Sequence, residues 1–173
     1  MKLDDTDFAL FGLPQRFELD TADLDARWRR LQGSTHPDRH AAEGGAAQRV
    51  AMQWSVRINE GYRRLRDPLA RAAYLCELRG APIQPNTNTA MPTDFLHQQM
   101  AWREALDDAE GEQALQSLEQ EVRQAEATLF AELSRVLDDP AAKPAPAVEH
   151  VRALMFIARF RTDLERRLGL LHD

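Results

Sequence analysis

One cysteine, Cys76, stands in 173 residues. A single thiol excludes an internal disulfide, a multi-cysteine zinc site and an iron–sulfur cluster held by this chain's own thiolates. No apolar run approaches the ~18 residues that a membrane span needs. The start, Met1-Lys2-Leu3-Asp4-Asp5, is acidic and lacks the apolar stretch of a secretory signal, so the expected compartment is the cytoplasm and no membrane partner is expected. A basic excess is also missing. The net charge is −6, which argues against a nucleic-acid partner. Valine and isoleucine are scarce, and no stretch alternates apolar and polar residues for a strand's length.

What is present recurs at three and four residues. With 43% hydrophobic and 29% charged residues the chain reads as globular and all-α. Its charge is uneven. Residues 1–80 carry 13 Lys/Arg against 12 Asp/Glu, and residues 81–173 carry 9 against 16, so the two parts present different fields. Between them Ala81–Pro92 holds three prolines among turn formers, which suits a linker. The division is therefore 1–80, a linker at 81–92, and 93–173.

Four helices are predicted before the linker. A short one spans about Asp7 to Phe11, and a second runs from Asp20 or Thr21 to about Ser34 with Leu24, Trp28, Leu31 and Thr35 inward. A third covers Ala46 to Arg66, with the stripe Val50, Trp54, Ile58, Gly61 and Leu65. The fourth starts at Asp67-Pro68, an N-cap followed by proline at the first helical position, and ends at Gly80. Three more follow the linker. Thr93 or Asp94 caps a helix that ends near Gly111. The next, Glu112–Leu137, carries Leu115, Leu118, Val122, Ala125, Leu129, Leu133 and Val136. The last, Ala147–Leu171, carries Val151, Leu154, Ile157, Leu164, Leu168 and Leu171.

Chemistry concentrates between the second and third helices, in Ser34-Thr35-His36-Pro37-Asp38-Arg39-His40. Proline fixes its own φ and restricts the residue before it, so His36 and Asp38 sit in a stiff turn. Arg27, Arg29 and Arg30 on the preceding helix give an acidic protein a local positive face, suited to steering onto an acidic partner. Residue types alone leave open a solvated arginine face and a turn that merely caps a helix. His36, Asp38 and His40 are also spaced like metal ligands or an acid–base pair. No nucleophile or further ligand cluster accompanies them, so neither catalysis nor a metal is expected.

The setting of the turn is more specific than its three letters. Trp28-Arg29-Arg30-Leu31 precedes it. Ile58-Asn59-Glu60-Gly61-Tyr62-Arg63-Arg64-Leu65-Arg66-Asp67-Pro68 and Arg71-Ala72-Ala73-Tyr74-Leu75 follow. This run resembles a J-domain, whose antiparallel hairpin carries His-Pro-Asp at its tip and stimulates an ATPase chaperone of the heat-shock class. The resemblance implies that Arg27, Arg29, Arg30, His36, Pro37 and Asp38 meet that ATPase. Thr35 stands where an aromatic residue usually precedes the histidine, and Gly33 and Ser34 replace an apolar and a basic residue, so the second helix is expected to fray there. No Gly/Phe-rich segment or cysteine-rich zinc module is present, unlike in general protein-folding J-proteins.

Leu10-Phe11-Gly12-Leu13-Pro14, Asp67–Leu75, Phe95-Leu96 and Arg103-Glu104-Ala105-Leu106-Asp107-Asp108 together extend the resemblance to the HscB family, in its bacterial form without an N-terminal zinc module. The likeness is strongest up to Tyr74 and weak from Glu112. It implies an L-shaped pair of domains: a J-domain, then a three-helix domain. That second domain binds an IscU-type iron–sulfur scaffold and presents it to an HscA-type chaperone. No cofactor is implied.

Helix geometry also shows a second apolar strip after the linker. Phe95, Gln99, Trp102 and Leu106 form a core stripe, and Leu96 and Met100 lie off it beside Glu104, Asp107 and Asp108. Phe156 points off the stripe of the last helix. The alternative is gap filling between helices. The resemblance favours a scaffold-binding patch of Leu96, His97, Met100, Glu104, Asp108 and Phe156, with Ala101 supplying no acidic contact. The other readings are a J-domain co-chaperone for a different client, a helical hydrolase using His36 and Asp38, and a helical adaptor.

Overall fold

The computed structural model describes residues 1–84 and 91–171. The part of the linker at 85–90 lies outside the described residues. All regular structure among them is helical. α1 spans Asp7–Leu10, α2 Thr21–Thr35, α3 Gly45–Arg66, α4 Pro68–Leu78, α5 Thr93–Asp108, α6 Gly111–Leu137 and α7 Ala145–Gly169, with a 3₁₀ segment at Pro37–Glu43. The chain forms two compact units, Met1–Leu75 and Cys76–Asp173, divided within α4.

The first unit is a hairpin of α2 and α3 with α1 packed on α3. α2 starts where Asp20 accepts from the amides of Ala22 and Asp23, at 3.0 and 3.3 Å. α4 starts in the same way, Asp67 accepting from Leu69 N at 2.9 Å. Leu24, Ile58, Leu65, Phe8 and Leu75 fill the core. α1 is anchored by a charge: Asp7 is fully buried, with Arg57 Nη1 at 2.8 Å and Arg64 Nε at 3.3 Å. Its amide donates to Tyr74 Oη at 3.0 Å, and the Tyr74 ring stacks on Phe8.

In the second unit α6 packs on α7 and α5 lies against both. The core joins Trp102 and Leu106 to Leu115, Leu118, Val122, Ile157, Phe160 and Leu164. Cys76 is buried, and burial pushes its thiol up to about 11. That keeps it protonated near neutral pH and unreactive.

Four sequence expectations need correction. Val50 is 53% exposed, on the wall of an open groove that it shares with Ser34 and Thr35 of α2, and Ala51 is buried instead. Leu137, not Val136, is buried at the end of α6. Phe160 is fully buried in α7, while Leu171 lies beyond its end and is exposed. α5 has no side-chain cap: Pro92 holds the cap position and Thr93 is already helical.

Candidate functional site

The character of the α2–α3 interface changes along its length. At the base it is apolar, through Leu24, Ile58 and Leu65. Midway, the Trp28 ring stacks on Tyr62 at 4.5 Å, and Trp28 Nε1 donates to Asn59 Oδ1 at 3.0 Å. Nearer the tip polar links join the helices, Gln32 Nε2 donating to Asn59 Oδ1 and Ser55 Oγ to Gln32 Oε1, and Ala51 is buried. α2 does not fray. Ser34 Oγ and Thr35 Oγ1 each donate to the Leu31 carbonyl at 2.9 Å, and the helix continues through Thr35.

His36 then turns extended, with φ −61° and ψ 129°, the region that a following proline imposes. Pro37 opens the 3₁₀ segment. His36 Nδ1 accepts from the Asp38 amide at 3.3 Å, so the histidine caps its own turn, and the Arg39 amide donates to the His36 carbonyl at 3.0 Å. The side chains stay outside. His36 is 54% exposed and Asp38 90%, with Asp38 Oδ2 3.5 Å from His36 Nδ1. A stiff backbone therefore presents an imidazole and a carboxylate to solvent.

The three arginines are not equivalent. Arg29 and Arg30 are exposed. Arg27 is built into the fold: its Nε pairs with Asp23 at 3.0 Å and its Nη1 donates to the carbonyls of Phe11 and Gly12 at 2.9 and 3.1 Å. Gly12 has φ +64°, which suits glycine there.

The second candidate site lies on α5. Leu96, Met100, Glu104 and Asp108 recur every four residues and share one face, with His97 beside them. All five are exposed, Leu96 by 40% and Met100 by 70%. Met100 and Glu104 join Gln99, Arg103 and Phe156 around an open groove of about 460 Å³. Leu96, His97 and Asp108 are not among its walls. Phe156 is half-buried, not a free surface residue: it stacks on Trp102 at 6.5 Å and Phe160 at 5.9 Å and meets Phe95 edge-on. Arg103 has no site role in the sequence reading. Its guanidinium lies over the rings of Phe156 and Phe160, 5.6 and 5.2 Å from their centroids, and Nη1 bonds Asp163 Oδ2 at 2.8 Å. The signal was an arginine beside Trp102 on a helix whose neighbour carries two aromatic residues four apart.

No group of three or more His, Cys, Asp or Glu able to hold a metal occurs among the described residues, and no described helix is long and apolar enough to cross a membrane.

A helical hairpin that holds His-Pro-Asp out at its tip, followed by a helical bundle, defines a J-type co-chaperone. The comparisons specify which. Residues 91–165 match the family model described as the HSCB C-terminal oligomerisation domain. The co-chaperone protein HscB homologue of Ralstonia nicotianae is 45% identical over 172 residues, 98% of this chain and 97% of its own length. That of Cupriavidus taiwanensis is 46% identical over 175 residues, 99% and 98% of the two chains. Among solved structures, HscB from Vibrio cholerae aligns with a TM-score of 0.83 at 34% identity, over 96% of this chain and 99% of its own. Human co-chaperone protein HscB shares the fold, with a TM-score of 0.90 at 24% identity over 96% and 84%. The chain belongs to the HscB co-chaperone family, and its relatives are named co-chaperones, not enzymes.

Proposed function

We propose that the chain is a co-chaperone of iron–sulfur cluster biogenesis in the cytoplasm. The tip of the α2–α3 hairpin engages an HscA-type ATPase and stimulates ATP hydrolysis. The α5 face, completed by Phe156, binds an IscU-type scaffold protein. The observation that carries this reading is the pair of exposed sites in separate compact units: His36-Pro37-Asp38 on one, and Leu96, Met100 and Glu104 beside an aromatic groove on the other. One docks an ATPase while the other holds its client. His97 and Asp108 extend the client face, and the acidic rim selects a partner with basic groups. Arg29 and Arg30 steer the ATPase, and Arg27 braces their helix against the turn at Phe11-Gly12.

The test is a reconstitution with an HscA-type ATPase and an IscU-type scaffold. The full chain should accelerate ATP hydrolysis and bind the scaffold. His36→Gln should lose the acceleration, by at least about tenfold, and still bind the scaffold and melt as the parent does. Equal stimulation by parent and variant would defeat the assignment of the tip.

The matched family description favours a second reading of the groove, as a contact between copies of this chain. Sedimentation separates the two. A dimer that Met100→Ala dissociates, with no scaffold bound, would assign the groove to self-association.

A further inference from the structure

His40 is not part of His-Pro-Asp, yet its ring ties together the two ends of the segment that carries the motif. Its Nε2 lies 3.3 Å from the carbonyl of Ser34, in the last turn of α2. Its Nδ1 lies 3.2 Å from Glu43 Oε1, at the end of the 3₁₀ segment. We propose that His40 is a positioning residue for the His36-Pro37-Asp38 turn, a clasp across residues 34–43 that closes when its imidazole is protonated and so makes engagement of the ATPase pH-dependent. This rests on the assignment of the tip given above.

The geometry demands two donors. A neutral imidazole carries one N–H and one lone pair. Here both ring nitrogens face acceptors, a carboxylate and a carbonyl, so the neutral ring satisfies one and points its lone pair at the other. Only the imidazolium donates to both. The charged groups near the ring are few. Glu43 on the 3₁₀ segment favours the cation and Arg39 opposes it. The wall that α3 contributes to the groove containing His40 is Ala46, Ala47, Val50, Ala51 and Trp54, none of them charged. The ring's pKa is accordingly raised above 6.5, first by the bond to Glu43 and then by the bond to the Ser34 carbonyl.

The sign follows. A raised folded-state pKa means that the clasp is complete below 6.5 and is lost as pH rises through the higher folded value. The stake is local. The 3₁₀ segment packs on α3, but none of its own residues is buried and Val50 beside it is 53% exposed, so side-chain bonds such as those of His40 help to hold its shape. Glu43 and Ser34 flank the motif on both sides, so closing the clasp shortens the free loop and lowers the cost of ordering the turn on a partner.

The experiment uses the full chain, His40→Gln and Glu43→Gln, each at about pH 5.5 and about pH 8.5. The first readout needs no partner: the proton NMR titration of the His40 ring and amide exchange across residues 34–43. The parent should titrate above the ordinary histidine value, and its amides at 34–43, each rate divided by the intrinsic rate at that pH, should be better protected than those of His40→Gln at the lower pH and equally protected at the higher. Glu43→Gln should lower the midpoint. The second readout is the concentration of co-chaperone giving half-maximal ATPase stimulation, taken as a ratio of parent to His40→Gln so that the ATPase's own pH response cancels. The parent should be favoured by about threefold at low pH and by nothing at high pH. A ratio that does not change with pH, or a His40 midpoint at the ordinary value that Glu43→Gln leaves in place, overturns the proposal. Absence of stimulation by the parent at either pH would defeat the assignment of the tip instead, and the exchange data would still decide whether the clasp exists.

Discussion

The two sites are built on opposite plans. At the hairpin tip the functional side chains have almost no packing role: His36 and Asp38 point outward, and the backbone turn holds them in place through the His36 ring and the proline. On α5 the site grows out of the core. Met100 is free, but the groove it borders has Phe156 for a wall, and Phe156 stacks on buried Trp102 and Phe160. The tip separates binding from stability, whereas the groove mixes them. A substitution at the tip therefore touches the turn and partner engagement but not the core, and a substitution in the groove must be chosen by depth.

The sharpest contrast comes from damaging the first unit away from its tip. Asp7 is buried and faces two arginines, with its partners 50 and 57 residues further on. Asp7→Ala should destabilise this unit by about 3 kcal/mol, because Arg57 and Arg64 lose their buried counter-charge and Arg57 keeps only its bonds to the Leu3 and Asp5 carbonyls. Thermal melting of the full chain should show loss of the first unit with the second largely intact. If Asp7→Ala and His36→Gln melted alike, the separation of scaffold from tip would fail.

Phe156 and Phe160 grade the second unit in the same way. Phe160→Ala should cost the ~3–5 kcal/mol of a fully buried ring, while Phe156→Ala should cost about 2 kcal/mol, since its ring is only half-buried. Denaturant unfolding gives both numbers. Equal losses would make Phe156 a core residue and remove the groove's aromatic wall from the proposed client face.

The helices were legible because their signals are local. Asp20 and Asp67-Pro68 announce helix starts within four residues, and Leu115, Leu118 and Val122 keep one phase throughout. His-Pro-Asp was legible as a stiff turn for the same reason. What escaped depended on residues distant in sequence or on packing. The spacing phases the α3 stripe through Val50 and Trp54, but burial depends on what comes to lie opposite, and Val50 faces an open groove beside Ser34 and Thr35. Phe160 was passed over because the apolar spacing was followed from Ile157 directly to Leu164. The buried charge at Asp7 and the clasp at His40 have no sequence signature, since each is defined by where another element comes to lie.

The smallest effect on stability, and the most informative at the groove, belongs to Leu96 and Met100. Both side chains are exposed on the outer face of α5, one turn apart, and neither belongs to the packed cluster around Trp102. Truncating them removes little that folding buries, so Leu96→Ala/Met100→Ala should change unfolding free energy by less than about 0.5 kcal/mol. An interface anchor behaves otherwise, because its apolar surface leaves water only in the complex. The double variant should therefore bind the scaffold at least about tenfold more weakly, roughly 1.4 kcal/mol, in titration calorimetry. Phe156 is left out of this variant deliberately: its loss would disturb the stack with Trp102 and confuse a weaker groove with a missing contact. ATPase stimulation without scaffold should persist, since His36-Pro37-Asp38 belongs to the other unit. Unchanged scaffold affinity, with the fold intact, would show that the exposed strip on α5 is surface and nothing more.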